Sequence, residues 1–330
     1  MEIAFDSQFG RGPVDHPPIA YASDGVWTRS AGQEPRQLYI VWQSSNCPLA
    51  WSPDGEWVYY GNVHQVLALQ FDGDGKVKLW EGRERIMWLL QSCPQTGRLL
   101  FRAGGRLVLC EPEGLERTLY RGDFFTLDAT LAASKAVLWK KEDLILLDWS
   151  EGLERTLISS CPSDFAISPD GKKIACAEGC LRLFLNPAFT LLSSAPEAAA
   201  PSFSPDSQSL VFLNGDYELW RVNIDGTGLT RLAWVTEPIV TVSERRGSYA
   251  CKPGWSSDGR FLVAQLTHAT HCPTNEDARI EHASVIIDFQ ESRAEVWPGY
   301  HHHAIFRPTT GSPNFRWTAA DMGSPVEPQL

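Results

Sequence analysis

Six of the eight histidines in this 330-residue chain fall between positions 268 and 303: His268, His271, His282, His301, His302 and His303. Neutral imidazoles gathered in this way are ligands for a divalent transition metal such as Mn, Fe, Ni or Zn. His268 and His271 form one close pair. His301 and His303 alternate as they enter a strand, so both point the same way and can share an ion, whereas His302 points opposite. Arg245, Arg246 and Lys252 precede them and supply positive charge for an anion. The predicted metal set is therefore His268, His271, His301 and His303, with Arg245, Arg246 and Lys252 as ligand-binding residues. The bland alternative is a set of solvent-facing loop histidines. The run at 301–303 is not read as an expression tag, because a blade-like pattern follows it.

A tetrapeptide that recurs along the chain reveals the scaffold that must position these residues. Ser52-Pro53-Asp54-Gly55, Ser168-Pro169-Asp170-Gly171, Ser204-Pro205-Asp206-Ser207 and Ser256-Ser257-Asp258-Gly259 each follow a short apolar or aromatic stretch, and worn copies end at Gly97, Lys135 and Gly311. At the final turn residue (positions 55, 97, 135, 171, 207, 259 and 311) the intervals are 42, 38, 36, 36, 52 and 52. A supersecondary unit repeating at that length makes a propeller or solenoid. Around each turn the sequence reads as four strands, with Asp-Gly steps as turns and no persuasive helical period. Four strands make a propeller blade. The expected fold is one all-β domain over 1–330, a seven-bladed propeller. Its blades are placed at 47–80, 86–120, 124–158, 163–194, 199–232 and 250–297, with a seventh closed by strands from both termini, 303–319 with 17–40. Phe315 to Ala319 is placed as a candidate second strand of that blade.

Topology then sorts the histidines. In a four-stranded blade, the loop between second and third strands and the loop into the next blade emerge on one face. His268 and His271 follow a strand over 260–267 and begin an excursion over 268–282, and His301 to His303 lead into an innermost strand. Both groups are expected on one face, near the mouth of the central channel where propellers bind ligands. The other enlarged connection, 233–250, opens there too and carries Arg245 and Arg246.

The repeat resembles that of TolB-like propellers, most closely in residues 203–226 and 51–73, where an aromatic residue precedes Ser-Pro-Asp-Gly and a Leu-Trp-Arg-Val-Asn-type strand follows. This resemblance covers nearly the whole chain and is specific for fold. A second resemblance is to oligogalacturonate lyases, cytoplasmic seven-bladed propellers with a manganese site of histidines that includes a His-x-His before a late first strand. His301-His302-His303-Ala304-Ile305-Phe306-Arg307-Pro308 looks like that element, although Val296 to Tyr300 stand where the family has an upstream glutamine. The lyase resemblance implies that a metal neutralises a uronate carboxylate while a base removes the adjacent C–H proton; Arg246, Lys252 and His282 are the candidate bases.

Other features bound the function. A formal charge of −11 argues against a nucleic-acid or anionic-membrane surface as main partner. The start of the chain lacks the pattern of a secretory signal and no stretch approaches 18 apolar residues, so a cytoplasmic protein is expected. The eight cysteines, at unrelated spacings, read as apolar fillers of a reducing compartment. Most of the thirteen tryptophans are assigned to packing between blades, and the repeated aspartates to capping of backbone amides rather than to calcium. No nucleophile elbow, phosphate loop or dinucleotide fingerprint is present. Two classes compete: a metal-dependent, lyase-like protein acting on an anionic small molecule or sugar, and a non-catalytic propeller that binds a protein partner.

Overall fold

A computed structural model describes residues 2–40, 48–93, 96–111, 115–124, 126–140, 143–159, 164–177, 180–185, 188–193, 198–214, 218–236, 252–270, 279–299 and 301–308. Every regular element among them is a strand, and the strands form seven small sheets, a seven-bladed β-propeller of four-stranded blades. Two compact units divide the chain: Met1–His16 with Pro162–Ala304, and Pro17–Cys161 with Ile305–Leu330.

Inner strands read as nearly continuous apolar runs because both of their faces are covered. In blade two (Ile86–Ser92, Leu99–Ala103, Arg106–Cys110, Glu116–Arg121), Leu99, Phe101 and Ala103 enter one core with Ala50, Tyr59 and Val66 of blade one. Leu100, one residue out of phase, enters a second core with Ala136 and Leu138 of blade three. Successive residues of one strand thus belong to different cores, which is what stacks the blades face to face.

The recurring tetrapeptide fixes where each second strand begins. In the copy at 168–171, the Ser168 hydroxyl donates to Asp170 Oδ1 at 2.5 Å and accepts from the Lys173 amide at 2.9 Å, while Asp170 Oδ1 also accepts from Lys172 N at 3.0 Å. The same bonds recur at Ser52–Asp54, Ser204–Asp206 and Ser256–Asp258. Gly171 closes the turn at φ 67°, a left-handed conformation that a side chain disfavours.

Blade seven takes His302–Phe306 as its first strand and Ile19–Ala22, Gly25–Arg29 and Arg36–Ile40 as the rest. The second strand is therefore Ile19–Ala22, which corrects the sequence assignment of that place to Phe315–Ala319; those residues lie outside the described ones. Ile305 sits against Ala20, Ala22 and Trp51, and Trp51 Nε1 donates to its carbonyl at 3.1 Å.

Residues 3–16 carry structure that the sequence did not suggest. Ile3–Phe5 adds an antiparallel fifth strand to blade five, beside Thr230–Val235, and Gly10–Arg11 adds a parallel one to blade six, beside Arg293–Pro298. Burial of Ile3, Phe9 and Val14 holds this strap in place.

The turn analysis generates a stability prediction. Ser168→Ala leaves buried partners unsatisfied and should cost about 1–3 kcal/mol in urea denaturation. Glu151→Ala, at an exposed side chain, should stay within about 0.5 kcal/mol of the parent.

Candidate functional site

The longest hairpin of the fold positions the histidines. In blade six (Gly254–Trp255, Phe261–Thr270, Arg279–Asp288, Arg293–Pro298), the second and third strands are ten residues each and pair without a break from Phe261↔Asp288 to Thr270↔Arg279. The excursion expected over 268–282 is thus shorter, since both strands extend into it. Over Phe261–Leu266 and Ala283–Asp288 one face of the hairpin is apolar: Leu262, Ala264, Leu266, Ala283, Val285 and Ile287 lie in the core shared with blade five. Residues of the other parity include the cross-strand pairs Gln265↔Ser284 and Thr267↔His282.

The fourth strand then returns the chain to the same end. Ala283 pairs with Pro298 and Ser284 with Trp297, and Gly299 N donates to the His282 carbonyl at 2.9 Å. Gly299 makes the turn at φ 114°, a conformation that side chains disfavour, and the His301 ring lies at van der Waals distance from where its Cβ would be. This tight passage delivers His301 onto Ser284, whose hydroxyl shares a 3.0 Å hydrogen bond with His301 Nδ1. Two positions along, Thr267 Oγ1 shares a 3.0 Å bond with His282 Nδ1. Each ring is therefore fixed by a strand hydroxyl through the same nitrogen.

Burial sets the chemistry. Ser284 is 1 % exposed and Trp297 2 %, and the half-buried His282 is pushed below the ordinary imidazole value by desolvation, so it is neutral at pH 7. Trp297 packs edge-on against His301 at 6.2 Å and against buried His16 of the strap at 5.2 Å. Its indole donates to Glu295 Oε1 at 2.7 Å, and the other carboxylate oxygen accepts from Val14 N at 3.0 Å. Gln265 is 7 % exposed, yet neither its amide nitrogen nor its oxygen has a hydrogen-bond partner among the described residues. A buried amide without a partner is costly.

Of the residues named from sequence, His282 and His301 come to one end of one blade. His268 occupies the register position opposite Glu281, next to the Thr267–His282 pair, and His303 lies within the strand His302–Phe306; nothing further is described of either side chain. Lys252 is exposed, two residues before Gly254–Trp255. His271, Arg245 and Arg246 lie outside the described residues. Among the described residues no group of three or more His, Cys, Asp or Glu side chains is placed to hold an ion. Sequence reasoning missed Gln265, Thr267 and Ser284, although polar residues two apart in apolar strands are a legible signal. Nothing in the sequence marked His16.

Comparisons with known proteins agree on architecture. An oligogalacturonate lyase from Vibrio parahaemolyticus superposes with a TM-score of 0.56 at 13 % identity, covering 87 % of this chain and 86 % of that one. An oligogalacturonate lyase in complex with manganese gives 0.53 at 13 % identity, over 83 % and 80 % of the two chains. A TolB structure from Agrobacterium tumefaciens gives 0.43 at 17 % identity, over 85 % and 89 %. At such identities the likeness is one of fold. A stretch of 70 residues is 37 % identical to eukaryotic translation initiation factor 3 subunit I from Lodderomyces elongisporus, a match spanning 19 % of this chain and 20 % of that protein. No protein-family profile matches the chain.

The burial of His282 carries a pH signature. Its folded-state pKa lies below the ordinary 6.5, so the unfolded chain binds the proton more tightly and stability falls as pH drops from about 6.5 toward the folded value. The hydrogen-bonded carboxylates Asp170, Asp206 and Asp288, held below the ordinary 3.8, lose their contribution only in a more acidic window. Chemical denaturation between pH 7 and 5 should show a decline in the parent protein that His282→Gln flattens.

Proposed function

We propose that the chain is a ligand-binding propeller whose blade-six histidines hold a divalent transition metal beside a site for an acidic small molecule or sugar, and that its reaction class is that of a metal-dependent lyase. One observation carries this reading: His282 and His301 come to the same end of blade six, each ring fixed through Nδ1 by a strand hydroxyl. Ring-nitrogen hydrogen bonds of this kind orient metal-binding imidazoles. The donor set fits a borderline cation, because imidazoles suit such ions and Gln265 offers an unpartnered carbonyl oxygen nearby in register. The fold likeness to a manganese complex of oligogalacturonate lyase supports the same reading.

His301 is the ligand assigned most directly, with His303, His268 and His271 as the further members of the set. A cation bound there would offset the charge of a ligand carboxylate and make the adjacent C–H more acidic. Of the three candidate bases His282 is favoured, since a neutral imidazole accepts a proton at pH 7 whereas an arginine does not. Thr267 would hold its ring in one orientation while the proton moves.

Metal analysis of protein purified without an affinity tag tests this reading. It predicts close to one equivalent of Mn, Fe, Ni or Zn per chain, and at least about tenfold weaker binding in His301→Ala. Less than about half an equivalent in the parent protein would favour the reading as a protein-interaction propeller.

A further inference from the structure

We propose that a second surface, at the ends of blades seven, one, two and three and formed by Ile40, Val63, Arg83, Arg85, Arg121 and Lys140, docks a short acidic peptide segment of a partner protein. All six residues belong to the unit Pro17–Cys161 with Ile305–Leu330. They occupy the edge where second strands pass to third and fourth strands pass to the next blade.

Backbone hydrogen bonds make this edge continuous. Ile86 N donates to Val63 O at 3.0 Å and Gly82 N to His64 O at 2.9 Å, joining the turn of blade one (Leu49–Trp51, Trp57–Gly61, Gln65–Gln70, Lys76–Glu81) to the segment that carries Arg83 and Arg85. Gly104 N donates to Arg85 O at 2.8 Å, and Gly122 N to Gly105 O at 2.9 Å, beside Arg121. Lys140 ends the second strand of blade three, and nearby Tyr120 raises its pKa. Ile40 ends the fourth strand of blade seven opposite Gly25, and blades seven and one share a core containing Val26, Tyr60 and Leu67.

Three arginines of this edge lack, among the described residues, the ion pairs found elsewhere, while Lys140 lies near Asp123 and Glu154. Arg98, Arg106 and Arg260 are paired with Glu111, with Glu84 and Glu116, and with Asp288 respectively. Arg83, Arg85 and Arg121 are exposed and have no ion pair among the described residues. Glu84, the carboxylate between Arg83 and Arg85, is engaged at 2.6 Å by Arg106. Arg106 and Arg121 are also direct cross-strand partners, a like-charge opposition that costs stability. Such a pattern in a chain of formal charge −11 favours an anionic occupant. Arginine forks match carboxylates in bidentate fashion.

The apolar residues decide which occupant. Ile40 is 57 % exposed and Val63 37 %, two of the six large apolar side chains exposed among the described residues. No Trp, Tyr or Phe is among those six, so the exposed large apolar side chains among the described residues are aliphatic and suit apolar residues of a peptide better than stacked bases or sugar rings. An acidic peptide with interspersed apolar residues satisfies both features.

The test is fluorescence anisotropy with a fluorescein-labelled twelve-residue peptide of alternating Glu and Leu, at low and physiological salt, with and without EDTA. Saturable binding is expected, weakened by salt, indifferent to EDTA and reduced at least tenfold in the Arg85→Glu/Arg121→Glu variant. Arg83→Gln alone should cost about threefold, and Arg155→Glu, an exposed change near the opposite edge of blade three, should leave affinity within twofold. Equal affinity in the double variant, no measurable binding, or tighter binding of an oligodeoxythymidylate or oligogalacturonate of the same charge would each overturn the proposal.

Discussion

A buried serine hydroxyl that donates to the aspartate two residues on, and accepts from the amide five residues on, sets the register of four blades. Ser52 and Ser168 are fully buried, as is Ser256, and each satisfies the amide that opens the second strand or directly precedes it, while its aspartate satisfies the one before. That fixed start determines which residues of the strand face which neighbour, because a slip of one position would exchange the two faces. In blade six the frame set by Ser256 puts Leu262, Ala264 and Leu266 in the core and leaves Val263, Gln265 and Thr267 on the other parity.

From that frame the site follows by pairing alone. Thr267 must oppose His282 and Gln265 must oppose Ser284, and the fourth strand must end beside Ala283. Gly299 then lets the chain turn tightly enough for His301 to reach Ser284. The far end of the hairpin is pinned by Arg260, which grips the buried Asp288 carboxylate through Nε at 3.0 Å and Nη2 at 2.6 Å. An anchor at one end and a strap at the other leave the ten-residue strands little freedom to shear. The polar pairs Gln265–Ser284 and Thr267–His282 between them depart from the apolar pattern of the inner hairpin.

Much of this was legible in the sequence because the repeat is itself a hydrogen-bonding unit. Ser-x-Asp-Gly spells out the turn chemistry, and the strand count follows from its spacing, so blades one to six could be placed without coordinates. What stayed hidden depends on long-range pairing. Ile3–Phe5 and Gly10–Arg11 are short and lack turn signals, and only the free outer edges of blades five and six make them strands. Ile19–Ala22 was recognised as a strand, but its place next to His302–Phe306 is settled by the sheet, not by any local signal. At the site, counting histidines located His282 and His301 but not the hydroxyls that orient them. Gln265 and Thr267, two apart in an apolar stretch, were a legible signal, but their pairing with Ser284 and His282 comes only from register.

The most direct measurement is anomalous diffraction from crystals grown with manganese. The account predicts one strong peak at the end of blade six where the fourth strand stops beside Ala283, about 2.1 Å from a ring nitrogen of His301, with His282 close by. A folded crystal structure with the Ser284–His301 contact intact and no anomalous density at that end would contradict it.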